Sequence, residues 1–167
     1  MRASSLWLGA RSLLWIVLLP GMIADYIPWR YFGLRNVRLD RATPTQFIGL
    51  LGIGAGAALL LTCVWEFARS GRGTLSPVDP PRELVVRGVY RCVRNPMYLG
   101  VTAVVLGESL LMRSSALLLY WAAFFALANL FVLLYEEPAL RRRFGPSYDA
   151  YTRRVRRWIP TLRARTT

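Results

Sequence analysis

Apolar residues occur along this chain in four long blocks, separated by short stretches rich in arginine. A helix needs about 20 mainly apolar residues to cross a bilayer. Positions 6–26 meet that requirement apart from Arg11, 47–65 meet it without a charge, and 114–135 form 22 uncharged residues in a row. Positions 97–112 are shorter and enclose Glu108; the short link through Arg113 predicts a helical hairpin with the last block. The pattern therefore predicts an all-α, polytopic membrane bundle of about four spans, followed by a basic tail. It divides the chain into a two-span region, 1–69, and a region of loop, hairpin and tail, 70–167. Arg2 and Arg11 before a leucine run also fit a secretory leader. No small-x-small cleavage pattern follows, so a retained span is expected.

Local punctuation refines this picture. Gly49, Gly52, Gly54 and Gly56 lie in the second block, with Gly52 and Gly56 four apart, a spacing that lets helix backbones approach within a bundle or a dimer. Pro77, Pro80 and Pro81 preclude a continuous helix before position 88. Pro138 is expected to interrupt or restart the helix leaving the last block. Gly145-Pro146 reads as a helix stop and a new first turn. Beyond it Tyr148, Tyr151, Val155 and Trp158 recur at helical spacing among arginines, predicting an amphipathic helix on an anionic membrane surface.

Composition fits a bilayer: 54% of the 167 residues are hydrophobic and mean hydropathy is +0.33. The net charge of +13 comes from 22 basic residues, all arginine, gathered at the ends of apolar blocks rather than in a nucleic-acid-binding patch. With four spans, 2 arginines of the amino-terminal segment, 6 of the loop 66–95 and 9 of the tail share a side, against 5 opposite. The positive-inside rule then places both termini in the cytoplasm. An integral protein of the cytoplasmic (inner) membrane is expected. Histidine is absent, which excludes Ser-His-Asp and Cys-His catalysis and histidine-ligated metals. Cys63 and Cys92 have no metal or redox spacing, and no metal is expected.

The candidate chemistry lies where charge meets apolar sequence. Asn95-Pro96 is a favoured helix cap and first residue; the same helix start, with Arg94 beside it, suits an anion. Tyr98 is an interfacial aromatic or a wall residue, and Gly100 a packing residue or a place where a flat ring approaches the backbone. Glu136 and Glu137 close the last apolar block against the helix dipole, and so call for arginines or a cationic ligand. Glu108 is costly inside a span unless it is paired or faces a wet cavity, and Arg113 or a tail arginine is its expected partner. Phe144, Tyr148 and Tyr151 are a core stripe or the lining of a ligand cleft.

Read in order, "GVYRCVRNPMYLG", a hydrophobic hairpin and "EEPALRRRFGPSYDAYTRRVRRWIP" resemble the isoprenylcysteine carboxyl methyltransferase family, a relative of the membrane phospholipid methyltransferases. Gly88, Tyr90, Arg94, Asn95, Pro96, Tyr98 and Gly100 match the first half of its pattern. Glu136, Glu137, Leu140, Phe144, Gly145, Tyr148, Tyr151 and Val155 match the second. The likeness covers 77–160. It implies S-adenosylmethionine enclosed by the carboxyl-terminal half on the cytoplasmic side, and a lipid-like or amphipathic acceptor entering from the bilayer among membrane lipids. Glu136 and Glu137 would take the cofactor's amino group or ribose, and Arg94 and Asn95 its methionyl end. Tyr98 and Phe144 would wall the adenine or the sulfonium, with Gly100 beside them. Tyr148 and Tyr151 would line the acceptor cleft. For an acceptor that needs a base, Glu136, Glu137 and Glu108 are the candidates. The chain departs from many relatives in carrying Asn95 in place of histidine. It departs from eukaryotic members in carrying Leu133, Leu134 and Tyr135 where they have an arginine. Two rival readings are an NADPH-dependent reductase of the membrane sterol-reductase kind, whose acid directly follows the glycine where Val101 stands here, and a non-catalytic scaffold whose tail holds anionic lipid.

Overall fold

The computed structural model describes residues 20–33, 43–70, 84 and 86–161. Among them every regular element is helical. A π-helical turn, Met22–Tyr26, runs into α1, Ile27–Tyr31. Next come α2, Pro44–Ser70, and a 3-10 turn, Gly88–Arg91. α3, Pro96–Met112, is followed by α4, Ser115–Phe131, and by a second π turn, Val132–Glu136. The chain finishes with α5, Glu137–Phe144, and α6, Pro146–Arg154.

Among the described residues two helices are long and apolar enough to cross a membrane, Pro44–Glu66 and the continuous run Ser115–Phe144, rather than a clear four. Their side chains largely face outward, as Leu51, Leu119 and Leu134 do at 74%, 72% and 75% exposure. α3 has 17 residues, about 25 Å at the rise of an α-helix. It lies at the short end of what a span needs, and Val101, Thr102, Val104, Val105 and Glu108 along it are all buried within the chain. Most of the first expected span, 6–26, lies outside the described residues.

The chain forms two compact units. One draws on the described residues up to Leu60 and on Met97–Asn129. In it α2 and α3 touch through their backbones. A Cβ built on Gly49 would stand 2.6 Å from the carbonyl oxygen of Gly107, and one on Gly56 the same distance from that of Gly100. Gly52 meets the Gly107 Cα at 3.4 Å. The glycine spacing in α2 thus serves contact within the bundle. Gln46 at the start of α2 donates from Nε2 to the Leu111 carbonyl, 3.2 Å away at the end of α3. Arg113 takes a left-handed φ of 53° to turn the hairpin. Ser114 Oγ then accepts from the Leu117 amide to start α4. Ala24, Val101, Val104, Val105 and Leu117 form the core, with Phe32, Leu60 and Phe124 against it. The Tyr120 hydroxyl donates to the Ile23 carbonyl at 3.0 Å.

The other unit comprises the described residues of Leu61–Pro96 and those from Leu130 onward. Pro138 does not break its helix. Proline has no amide hydrogen, and in an α-helix its ring collides with the carbonyl four residues back. The π turn makes room for the ring by carrying the Glu137 amide to the Val132 carbonyl, one residue further than the α pattern. The same device precedes Pro28, where the Ile27 amide reaches Met22. Gly145, at φ 51°, closes α5 and opens α6, the stop-and-restart expected of Gly145-Pro146.

The tail departs from the expected surface helix. α6 stops at Arg154 and Val155 is extended, at φ −118° and ψ 126°. The apolar face of α6 does not lie open for lipid. Tyr148, Tyr151 and Val155 are buried together, with Leu84, Leu140 and Phe144 packed on them. Past Val155 the backbone leaves the helical path because residues 92–94 offer it partners. Val93 and Arg156 form a parallel bridge, the Arg94 amide donates to the Arg156 carbonyl, and the Thr161 amide donates to that of Cys92.

Candidate functional site

The chain before α3 and the end of the tail lie side by side, and that pairing gathers a set of charges. The Glu137 carboxylate, in the first turn of α5, accepts at Oε1 from Arg157 Nε at 2.7 Å and at Oε2 from Arg157 Nη2 at 2.8 Å. Arg94 Nη1 stands 2.9 Å from Oε1. Two-pronged arginine–carboxylate contacts of this kind fix direction as well as charge. The three side chains are only 12% (Arg94), 14% (Glu137) and 27% (Arg157) exposed. Solvent screening is therefore weak, and two cations facing one anion leave an excess positive charge. The hydrogen bonds to Glu137 hold the Arg157 guanidinium above its usual pKa.

A belt of tyrosines encloses this group. The Tyr148 hydroxyl shares a hydrogen bond with the Arg94 side chain. That of Tyr151 donates to the Tyr90 carbonyl at 2.7 Å. Burial pushes the phenols of Tyr90, Tyr148 and Tyr151 above the ordinary tyrosine value, so all three stay protonated near neutrality. Tyr90 also bonds the buried Cys63 thiol. Asn95 is buried, and its Nδ2 donates to the Arg157 carbonyl at 3.4 Å. One polar atom is left over: the buried Arg94 Nε has no hydrogen-bond partner among the described residues. A buried N–H without a partner costs on the order of 1–3 kcal/mol, so this edge of Arg94 is suited to an acceptor from outside the chain.

Of the residues singled out in the sequence, Arg94, Asn95, Glu136, Glu137, Phe144, Tyr148 and Tyr151 fall in this one unit. Glu136 is half-buried, and its charge is felt by Tyr90 and Tyr148. Tyr98, Gly100 and Glu108 belong to the other unit. There the Tyr98 carbonyl accepts from the Thr102 hydroxyl at 2.8 Å. A Cβ on Gly100 would meet Leu60 Cγ at 2.7 Å. Glu108 is 4% exposed, and its Oε2 has no hydrogen-bond partner among the described residues. The arginine expected there is not at that oxygen.

Two contributors escaped the sequence reading. Arg157 is one of nine arginines in the tail, and nothing in its spacing sets it apart. Glu66 ends the apolar part of α2 and packs its carboxylate against Gly88, which takes a φ of 50°. Its position as the first charge after a clean span is the signal that was available.

A family model, phospholipid methyltransferase, matches residues 44–147. The chain belongs to the phospholipid methyltransferase family. The matched stretch runs from the first residue of α2 to the first turn of α6, so it holds Arg94, Asn95 and both glutamates. Tyr148, Tyr151 and Arg157 lie beyond its end. No curated protein and no solved structure matches the chain significantly. Methyltransferase activity goes with the family, and its long apolar helices fit a membrane protein. The reductase and scaffold readings receive no such support.

Proposed function

We propose that this phospholipid methyltransferase family member transfers a methyl group from S-adenosylmethionine to a lipid-like acceptor, with its cofactor held at the cytoplasmic face of the inner membrane. The observation that carries the reading is the charge group at Glu137, because Arg94 has a buried nitrogen with no acceptor among the described residues. The cofactor's methionyl end offers a carboxylate, which fits that donor. When bound, the cofactor supplies an electrophilic methyl on a sulfonium, and the acceptor supplies the electron pair.

The residues divide the work by their commitments. Glu137 is engaged by Arg94 and Arg157, so its part is to orient Arg94. Glu136, beside it in the matched glutamate pair and half-buried near Tyr90 and Tyr148, is assigned to the cofactor's ammonium or ribose on the family resemblance. Asn95 holds the tail beside the start of α3 through the Arg157 carbonyl. Phe144 and Tyr148 supply aromatic walls at the charged group, and the aromatic face favours a cation such as a sulfonium. Tyr151 is assigned to the acceptor side. An acceptor that must lose a proton would need a carboxylate base, and Glu136 is the candidate in this unit. Positioning alone supplies several kcal/mol of such a barrier.

Calorimetric titration of the detergent-purified protein with S-adenosylhomocysteine, with NADPH as the control, tests the reading. Micromolar binding of the first alone is expected. Glu136→Gln should weaken that binding about tenfold, the order of one charge-assisted hydrogen bond, with the melting temperature little changed. No binding by the unaltered protein would sink the cofactor assignment. Unchanged affinity in Glu136→Gln would remove that residue from the site.

A further inference from the structure

We infer that Arg157 is a positioning residue of the methyl-donor site: it locks Glu137 and Asn95 into one register from the far end of the tail. The inference rests on the methyltransferase reading above and adds to it a residue beyond the stretch that the family model matches. Three observations carry it. The Arg157 fork engages both oxygens of Glu137, at 2.7 and 2.8 Å, which sets the plane of the carboxylate. That carboxylate in turn holds Arg94 at 2.9 Å. The carbonyl of the same Arg157 accepts from Asn95 Nδ2. Arg157 thus touches both halves of the motif, one through its side chain and one through its backbone.

The tail delivers it in a fixed place. Backbone bonds from Arg94 to Arg156 and from Thr161 to Cys92 lie on either side of Arg157, and the Thr161 hydroxyl adds a bond to Cys92 at 2.8 Å. The guanidinium therefore enters from a backbone already tied down, so no further backbone freedom is lost when the fork closes. Lysine has no such fork and cannot hold two oxygens in a plane. Without Arg157 the carboxylate is free to turn about its last bond, and the partner that aims the open edge of Arg94 is no longer fixed.

Full-length protein in detergent is titrated with S-adenosylhomocysteine as wild type, Arg157→Ala and Arg154→Ala, without and with millimolar guanidinium. The wild type and Arg154→Ala, which alters an exposed arginine of α6, should bind alike. Arg157→Ala should bind about tenfold to a hundredfold more weakly, and guanidinium should recover a several-fold part of the loss by refilling the vacated fork. If the alanine variant does not purify, Arg157→Lys carries the same test, with about tenfold weaker binding expected. Wild-type affinity in the Arg157 variant overturns the inference while the cofactor reading stands. A loss that guanidinium leaves untouched makes the role merely structural and overturns it too. Absence of binding in the wild type overturns the cofactor reading first, and the inference with it.

Discussion

In one unit of the molecule helices meet where side chains are missing; in the other, segments meet where side chains are longest. α2 and α3 touch through Gly49, Gly56, Gly100 and Gly107, so closely that an added methyl would overlap backbone atoms or the Leu60 and Ile53 side chains. The unit around Glu137 is stitched by arginines, a glutamate and tyrosine hydroxyls. The difference is in what holds the parts together. Between apolar helices of the membrane-spanning kind close van der Waals contact has to do it. Around Glu137 mostly buried charges are held in fixed geometry by charge-assisted hydrogen bonds, and a charged ligand can be met there. Backbone contact is intolerant of additions, whereas the charge group is intolerant of removals.

The largest effect should come from filling the glycine contact. A Cβ on Gly107 stands 2.5 Å from the Gly49 carbonyl oxygen, and backbone cannot step aside as a side chain can. Gly107→Leu should destabilise the protein by about 3 kcal/mol or prevent its recovery, measured by unfolding in mixed micelles. A variant as stable as wild type would mean that the two helices are not pressed together there.

Removal from the charge group should come next. Glu137→Gln leaves two mostly buried arginines facing each other, and should cost about 2 kcal/mol after allowance for partial exposure. On the cofactor reading it should also lose most of its S-adenosylhomocysteine affinity by titration. A melt and an affinity both equal to wild type would break the contrast between the two units.

The smallest effect sharpens the contrast from within a single helix. Gly54 lies two residues from Gly52 and Gly56 in sequence, yet nothing stands within 4 Å of a Cβ built on it. Gly54→Ala should leave stability unchanged or raise it by up to about 1 kcal/mol, since alanine is the better helix former. A marked loss in the same unfolding measurement would point to a contact on this face that the isolated chain does not make.

What could be read from sequence follows from the range of each cause. The Gly145-Pro146 stop is local chemistry, and it is found where it was expected. The glycine spacing in α2 and the hairpin at Arg113 are likewise local patterns with one natural outcome. α3 was harder, because a helix buried in protein and a helix buried in lipid draw on the same residues, and its 17 residues sit at the short end of what a span needs. The tail helix was overextended because its apolar period does run on to Trp158. What ends it is a bond to Arg94, some sixty residues away in the chain. Arg157 was invisible for the same reason. Of the candidate site, the order of Arg94-Asn95-Pro96 and the glutamate pair was legible, whereas the partner that joins them was not.

The π turn before Glu137 amounts to one extra residue accommodated inside a helix. Each residue of an α-helix advances the side chains by about 100°. A chain with Leu133 deleted would run on as a regular helix, its composition and apolar length almost unchanged. Because the wide turn already absorbs that residue's rotation of about 100°, everything beyond the deletion would keep its facing; what would be lost is the slack, and Pro138 would again press on the carbonyl four residues behind it. A single codon in the middle of an otherwise forgiving leucine run would thus decide whether the helix arrives at Glu137 relaxed or strained.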